Sequence, residues 1–131
     1  MSYDPNRPAE EQKSGFDHFF SAFQWSLQGL IATYRGEAAF RQELLLCVLL
    51  APLGLWLAET GVERALLIGS LLFVLVVEIV NSALESIVNR IGTERHELSG
   101  RAKDQGSAAV FLSLVATALI WGLILIPKFS G

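Results

Sequence analysis

Residues 65–88 read ALLIGSLLFVLVVEIVNSALESIV, an apolar run long enough to cross a bilayer that nevertheless carries Glu78, Asn81 and Glu85. At 100° per residue, Asn81, Glu85 and the following Asn89 fall at roughly −60°, −20° and +20° from Glu78. They make one polar stripe on an otherwise apolar helix. A carboxylate at the bilayer centre costs at least a few kcal/mol on insertion scales. Two on one face must therefore meet protein, water, a metal or a bound group. One reading is glue between helices, with protonated carboxyls bonding across an oligomer. The other is a proton-handling or cation-binding site, and two Glu with two Asn favour it. Glu78 and Glu85 lie about 10 Å apart along the axis, so they suit different tasks at different depths. Glu85 could ligate magnesium brought by a nucleotide. Glu78 lies deeper and suits a general base.

Two further apolar blocks flank this one, Leu44–Ala58 with Pro52 and Gly54, and Ala108–Pro127 with Ser113, Thr117 and Gly122. The first is short and is expected to take helical turns from Ala38–Glu43. The pattern predicts three membrane spans, about 38–58, 64–88 and 107–127. Ahead of them, Phe16, Phe19, Phe20, Phe23, Leu27, Leu30, Ile31 and Tyr34 recur in steps of three and four. Asp17, Ser21, Gln24 and Gln28 take the opposite face, together with Trp25. This predicts an amphipathic helix over about 15–35, lying in the membrane interface. Residues 1–14 are polar and lack a signal-peptide core, so they are expected to form a flexible tail. The fold class is therefore all-α membrane protein, three transmembrane helices after an N-terminal interfacial helix.

Composition agrees. The 131 residues are 52% apolar and only 18% charged, below the roughly 25% charged usual for soluble domains. A net charge of −3 gives no basic field for nucleic acid, and a single cysteine allows no internal disulfide. Arg7, Lys13, Arg35 and Arg41 precede the first span, and Arg90, Arg95, Arg101 and Lys103 lie between the second and third. Only Arg64 and Lys128 lie elsewhere. The positive-inside rule then puts the N-terminus and the 89–106 connection in the cytoplasm.

That connection mixes cations, carboxylates, His96 and glycines, the groups a polyphosphate needs. It is no Walker loop, and a solvated connector is the plain alternative. Near the first span, Glu37 could be a second metal ligand or simply pair with Arg41 one turn on.

Three ordered motifs then resemble a known family. They are Glu37-Ala-Ala-Phe-Arg-Gln-Glu43, Val77-Glu-Ile-Val-Asn-Ser-Ala-Leu-Glu85, and Arg90-Ile-Gly with His96-Glu-Leu-Ser-Gly-Arg-Ala-Lys-Asp104 and Gly106-Ser-Ala-Ala-Val110. Together they resemble the integral-membrane diacylglycerol kinases of bacteria, from about Phe16 onward. The resemblance implies a homotrimeric, single-domain kinase of the inner membrane. It would move the γ-phosphoryl of MgATP to the primary hydroxyl of diacylglycerol, giving phosphatidic acid. On that resemblance Glu78 is the general base, Glu37 and Glu85 hold Mg²⁺, and Asn81 organises the site. His18, Trp25, Glu37, Glu85, Glu94, Arg95, His96, Lys103 and Asp104 meet the nucleotide. The stretch Ala39–Glu43, with Ala39 and Phe40 at its start, and Ser107 meet the lipid.

The chain departs from one family member at four places. His18 stands for arginine, Trp25 for tyrosine, Leu27 for tryptophan and Asn89 for aspartate. His18 could supply only a partial charge, whereas Trp25 could still stack on adenine. The nearest rival is undecaprenol kinase of the same family, whose sequences lack the His-Glu-Leu-Ser-Gly-Arg run found here. A small proton-coupled transporter also suits an intramembrane Glu but does not explain the charged connection. A non-catalytic assembly subunit would tolerate loss of Glu37, Glu78 and Glu85 together.

Overall fold

The computed structural model describes residues 15–92, 94 and 96–130. The tail over 1–14 and Arg95 lie outside the described residues. There are four helices in chain order: α1 (Gly15–Gly36), α2 (Ala38–Leu57), α3 (Gly61–Ile91) and α4 (Glu97–Phe129). The chain divides into two compact units, Met1–Ala38 and Ala39–Gly131.

In the first unit, α1 is the amphipathic helix the phenylalanine spacing predicts. Asp17 in its first turn and Arg35 in its last complement the helix dipole. Thr33 is buried and its hydroxyl donates to Gly29 O at 2.8 Å. The apolar face from Phe16 to Tyr34 stays exposed.

In the second unit, α2, α3 and α4 are each long and apolar enough to cross a membrane. α2 begins at Ala38, so the short first block does take turns from the segment before it. Contacts between the helices run antiparallel. On the α2–α3 side, Glu43 meets Glu78, the Cys47 thiol lies 3.7 Å from Leu71 O, and Gly54 meets Leu67. On the α3–α4 side, Trp121 Nε1 donates to Leu67 O at 3.2 Å and to Ser70 Oγ at 3.1 Å, while the Thr117 hydroxyl lies 3.2 Å from Ser70 O. Leu67, Leu71 and Val74 of α3 form the core with Ser113 of α4. A Cβ on Gly54 would stand 3.0 Å from the Trp121 ring. Glycine there lets the indole approach α2 closely.

The two connections are capped by side chains. Thr60 accepts from Glu63 N at 3.1 Å to start α3, and Glu63 accepts from Glu59 N at 2.7 Å. Arg64 Nη2 donates to Ala58 O at 3.2 Å, serving a carbonyl just beyond the end of α2. Lys128 near the end of α4 reaches Glu63 at 3.0 Å and Glu59 at 3.2 Å, tying α4 to the α2–α3 turn.

At the other end the structure differs from a simple loop over 89–106. α3 continues to Ile91 and α4 starts at Glu97. Glu-Leu-Ser-Gly-Arg-Ala-Lys-Asp is a helix former apart from one glycine, so it extends α4 below the apolar block. Elsewhere the exposed side chains of α2 and α4 are largely Leu, Val and Phe, such as Leu45, Leu49, Phe111 and Leu123. Such a surface is solvated by acyl chains or by other protein, not by water.

Candidate active site

The stripe on α3 turns inward. Glu78 is 5% exposed, Asn81 and Glu85 are half-buried, and Asn89 is exposed. Burial thus falls steadily along the helix toward its C-terminal end. Glu78 faces protein, not the outer surface, as a carboxylate in an apolar span must.

Its neighbour across the interface is Glu43 of α2, whose carboxyl lies close enough to interact with it. A carboxylate only accepts, so a hydrogen bond between two carboxyls needs a proton on one of them. Glu43 Oε2 is buried without a hydrogen-bond partner, so one more donor could be received there. The spacing on α3 alone does not reveal Glu43 as the partner. The available signal was a polar pair, Gln42-Glu43, running into an apolar block.

Toward the C-terminal end of α3, Asn81 Nδ2 donates to Glu85 Oε1 at 3.4 Å. That long bond leaves most of the acceptor capacity of Glu85 unused. Asn81 Oδ1 is buried without a partner. Hard oxygen donors with spare lone pairs fit a magnesium ion that keeps waters and phosphate oxygens as its other ligands. Among the described residues no three His, Cys, Asp or Glu side chains converge as a closed metal cluster. Glu37 lies in the first unit, half-buried in the α1–α2 junction.

Beyond Glu85 a cavity of about 360 Å³ is lined by Val88, Asn89, Gly92, Glu94, His96, Ser99, Gly100 and Lys103. It therefore gathers Glu94, His96 and Lys103, three of the expected nucleotide contacts. Asp104 and Ser107 are exposed on α4 outside that lining, and His18 and Trp25 belong to α1 in the other unit. His96 has a local duty. It is the N-cap of α4, and its Nδ1 accepts from Leu98 N at 3.1 Å. That bond uses Nδ1 and leaves Nε2 as the ring nitrogen able to face a ligand. Of the expected lipid contacts, Phe40 is buried and Ala39 exposed.

The family model for prokaryotic diacylglycerol kinase matches residues 24–125. The chain belongs to the prokaryotic diacylglycerol kinase family. It is 51% identical over 112 residues to the diacylglycerol kinase of Haemophilus influenzae, covering 86% of this chain and 95% of that one. It is 45% identical over 117 residues to the diacylglycerol kinase of Escherichia coli, covering 89% and 96%. Pseudomonas aeruginosa diacylglycerol kinase is 46% identical over 114 residues, covering 87% and 93%. The matched region of the family takes in the whole α3 stripe, Glu43 and the cavity, but stops short of His18.

Proposed function

We infer that this chain is an ATP-dependent lipid kinase that phosphorylates the primary hydroxyl of diacylglycerol. The observation that carries the reading is the buried Glu78, set against Glu43 of α2 and lying on the same face of α3 as Glu85, two turns deeper. A lipid hydroxyl that stays at membrane depth meets Glu78. A nucleotide in the cavity beside Lys103 sends its phosphates toward Glu85. Glu78 takes the hydroxyl proton as the oxygen attacks the γ-phosphorus. The bond to the β-phosphate oxygen breaks, ADP leaves, and the carboxyl pair holds the proton until it is released. Lys103 offsets charge on the transferring group. Magnesium, when bound, neutralises the phosphate oxygens and aligns them for in-line transfer. Glu85 is the proposed ligand from this site, and Glu37 joins it on the family resemblance alone.

The same resemblance supports a homotrimer. The distribution of Arg and Lys supports an inner-membrane protein with its N-terminus, the α3–α4 connection and the cavity in the cytoplasm. That orientation puts the phosphate site where ATP is found.

The test is transfer of labelled phosphate from ATP to lipid by purified protein in mixed micelles. Diacylglycerol and undecaprenol are compared side by side. Labelled phosphatidic acid is the expected product. Preferential labelling of undecaprenol would move the chain to the rival activity, and no lipid labelling at all would remove the kinase reading.

A further inference from the structure

Gly106 is one of two buried residues that helix α4 presents, the other being Ser113. A Cβ built on Gly106 would overlap Asn81 Oδ1 of α3 and lie 3.2 Å from its Cγ. No side chain larger than hydrogen fits there unless the Asn81 amide moves. Asn81 Oδ1 is the same atom that is buried without a hydrogen-bond partner. The other end of the amide donates to Glu85 Oε1. Turning the amide over would set its oxygen against a carboxylate oxygen, two acceptors face to face, so the observed orientation is fixed by Glu85.

We infer, on the reading of Glu85 as a metal ligand, that Gly106 is a positioning residue for the metal site. Its bare Cα is the seat that leaves room for the Asn81 amide to lie where its N–H reaches Glu85. The glycine hydrogens can soften the contact through a weak Cα–H···O interaction with the orphaned oxygen. Asn81 spans the gap between the helices and converts their spacing into an orientation of the Glu85 carboxylate. A competing account makes Gly106 a small residue that merely lets two helices approach. The two accounts differ in whether Gly106 matters once the Asn81 amide is gone.

Mn²⁺ with a non-hydrolysable ATP analogue, followed by electron paramagnetic resonance on the purified oligomer, reads the site without turnover. Groups that orient a metal ligand are worth about 10–100-fold in metal affinity. Asn81→Ala and Gly106→Ala are each expected to weaken Mn²⁺ binding by about tenfold or more. The double variant is expected to bind as weakly as Asn81→Ala and no weaker, because the new methyl then meets no amide. It is also expected to assemble even if Gly106→Ala alone does not. Wild-type Mn²⁺ affinity in Gly106→Ala would overturn the inference. So would a further loss of comparable size in the double variant, or its failure to assemble. Glu85→Gln separates the two levels. Full Mn²⁺ affinity in that variant would withdraw the metal reading and the Gly106 role with it, while failure of the Gly106 pair alone leaves Glu85 in place.

Discussion

The carboxyl groups of Glu43 and Glu78 meet across the α2–α3 interface, with Glu78 almost fully buried. Two carboxyls placed together in an apolar span are suited to handling a proton between them. That arrangement can take up the proton of an alcohol without exposing an isolated ion to lipid.

Glu78→Gln should leave the protein folded and remove turnover, since the amide cannot accept the hydroxyl proton. A loss of about 10²–10⁴-fold is the scale for a general base. Glu43→Gln keeps a hydrogen-bonding partner for Glu78 but cannot relay a proton, and a smaller loss of about tenfold is expected. Size-exclusion chromatography with the lipid kinase assay checks both. Near-normal activity in Glu78→Gln would end its assignment.

His96 combines a helix cap with a place in the cavity wall, and substitution can separate the two. Asparagine is a good N-cap, so His96→Asn should preserve α4 and raise KM for ATP. His96→Ala should lose the cap as well, at about 1 kcal/mol. Thermal melts paired with KM values check this. An unchanged KM in the asparagine variant would leave His96 with capping alone.

Trp121→Phe removes the donor shared by Leu67 O and Ser70 Oγ. A destabilisation of about 1–2 kcal/mol is expected, read from unfolding in mixed micelles. The indole lies several turns from Glu78, so kcat per folded oligomer should hold. A large fall in kcat would show that this contact reaches the site.

Chelation should abolish phosphate transfer, and added Mg²⁺ or Mn²⁺ should restore it. Glu85→Gln should require a higher metal concentration for half activity, with KM for diacylglycerol little changed. A variant titrating with metal like the wild type would count against Glu85 as a ligand.

Lys128→Met removes the tie between α4 and the α2–α3 turn, leaving Glu59 and Glu63 without that cation. A small fall in the thermal midpoint is expected. Since the pairs are partly exposed, the difference should shrink at high salt. Activity per folded oligomer should be unaffected, because this network sits at the opposite end of the helices from Glu85.

Much of this was legible in the residues. Three apolar blocks of bilayer length and one aromatic-faced helix define the four helices, because the hydrophobic period and the bilayer thickness are both local constraints. The stripe from Glu78 to Asn89 is equally local: residues three and four apart share a face whatever surrounds them. The family motifs stand in the linear order as well. The connection after α3 was less legible, since a charged stretch reads as a loop although residues 97–104 include Glu, Leu, Arg, Ala and Lys, all good helix formers.

What tertiary structure alone decided is which residues face one another. The register between antiparallel helices brings Glu43 to Glu78, Gly106 to Asn81 and Trp121 to Ser70. Sequence spacing carries no such information, because apolar packing against a neighbouring helix is nearly indifferent to a shift by one turn. The buried polar groups remove that indifference. An acid and an indole withdrawn from water each demand a partner, and this register supplies both.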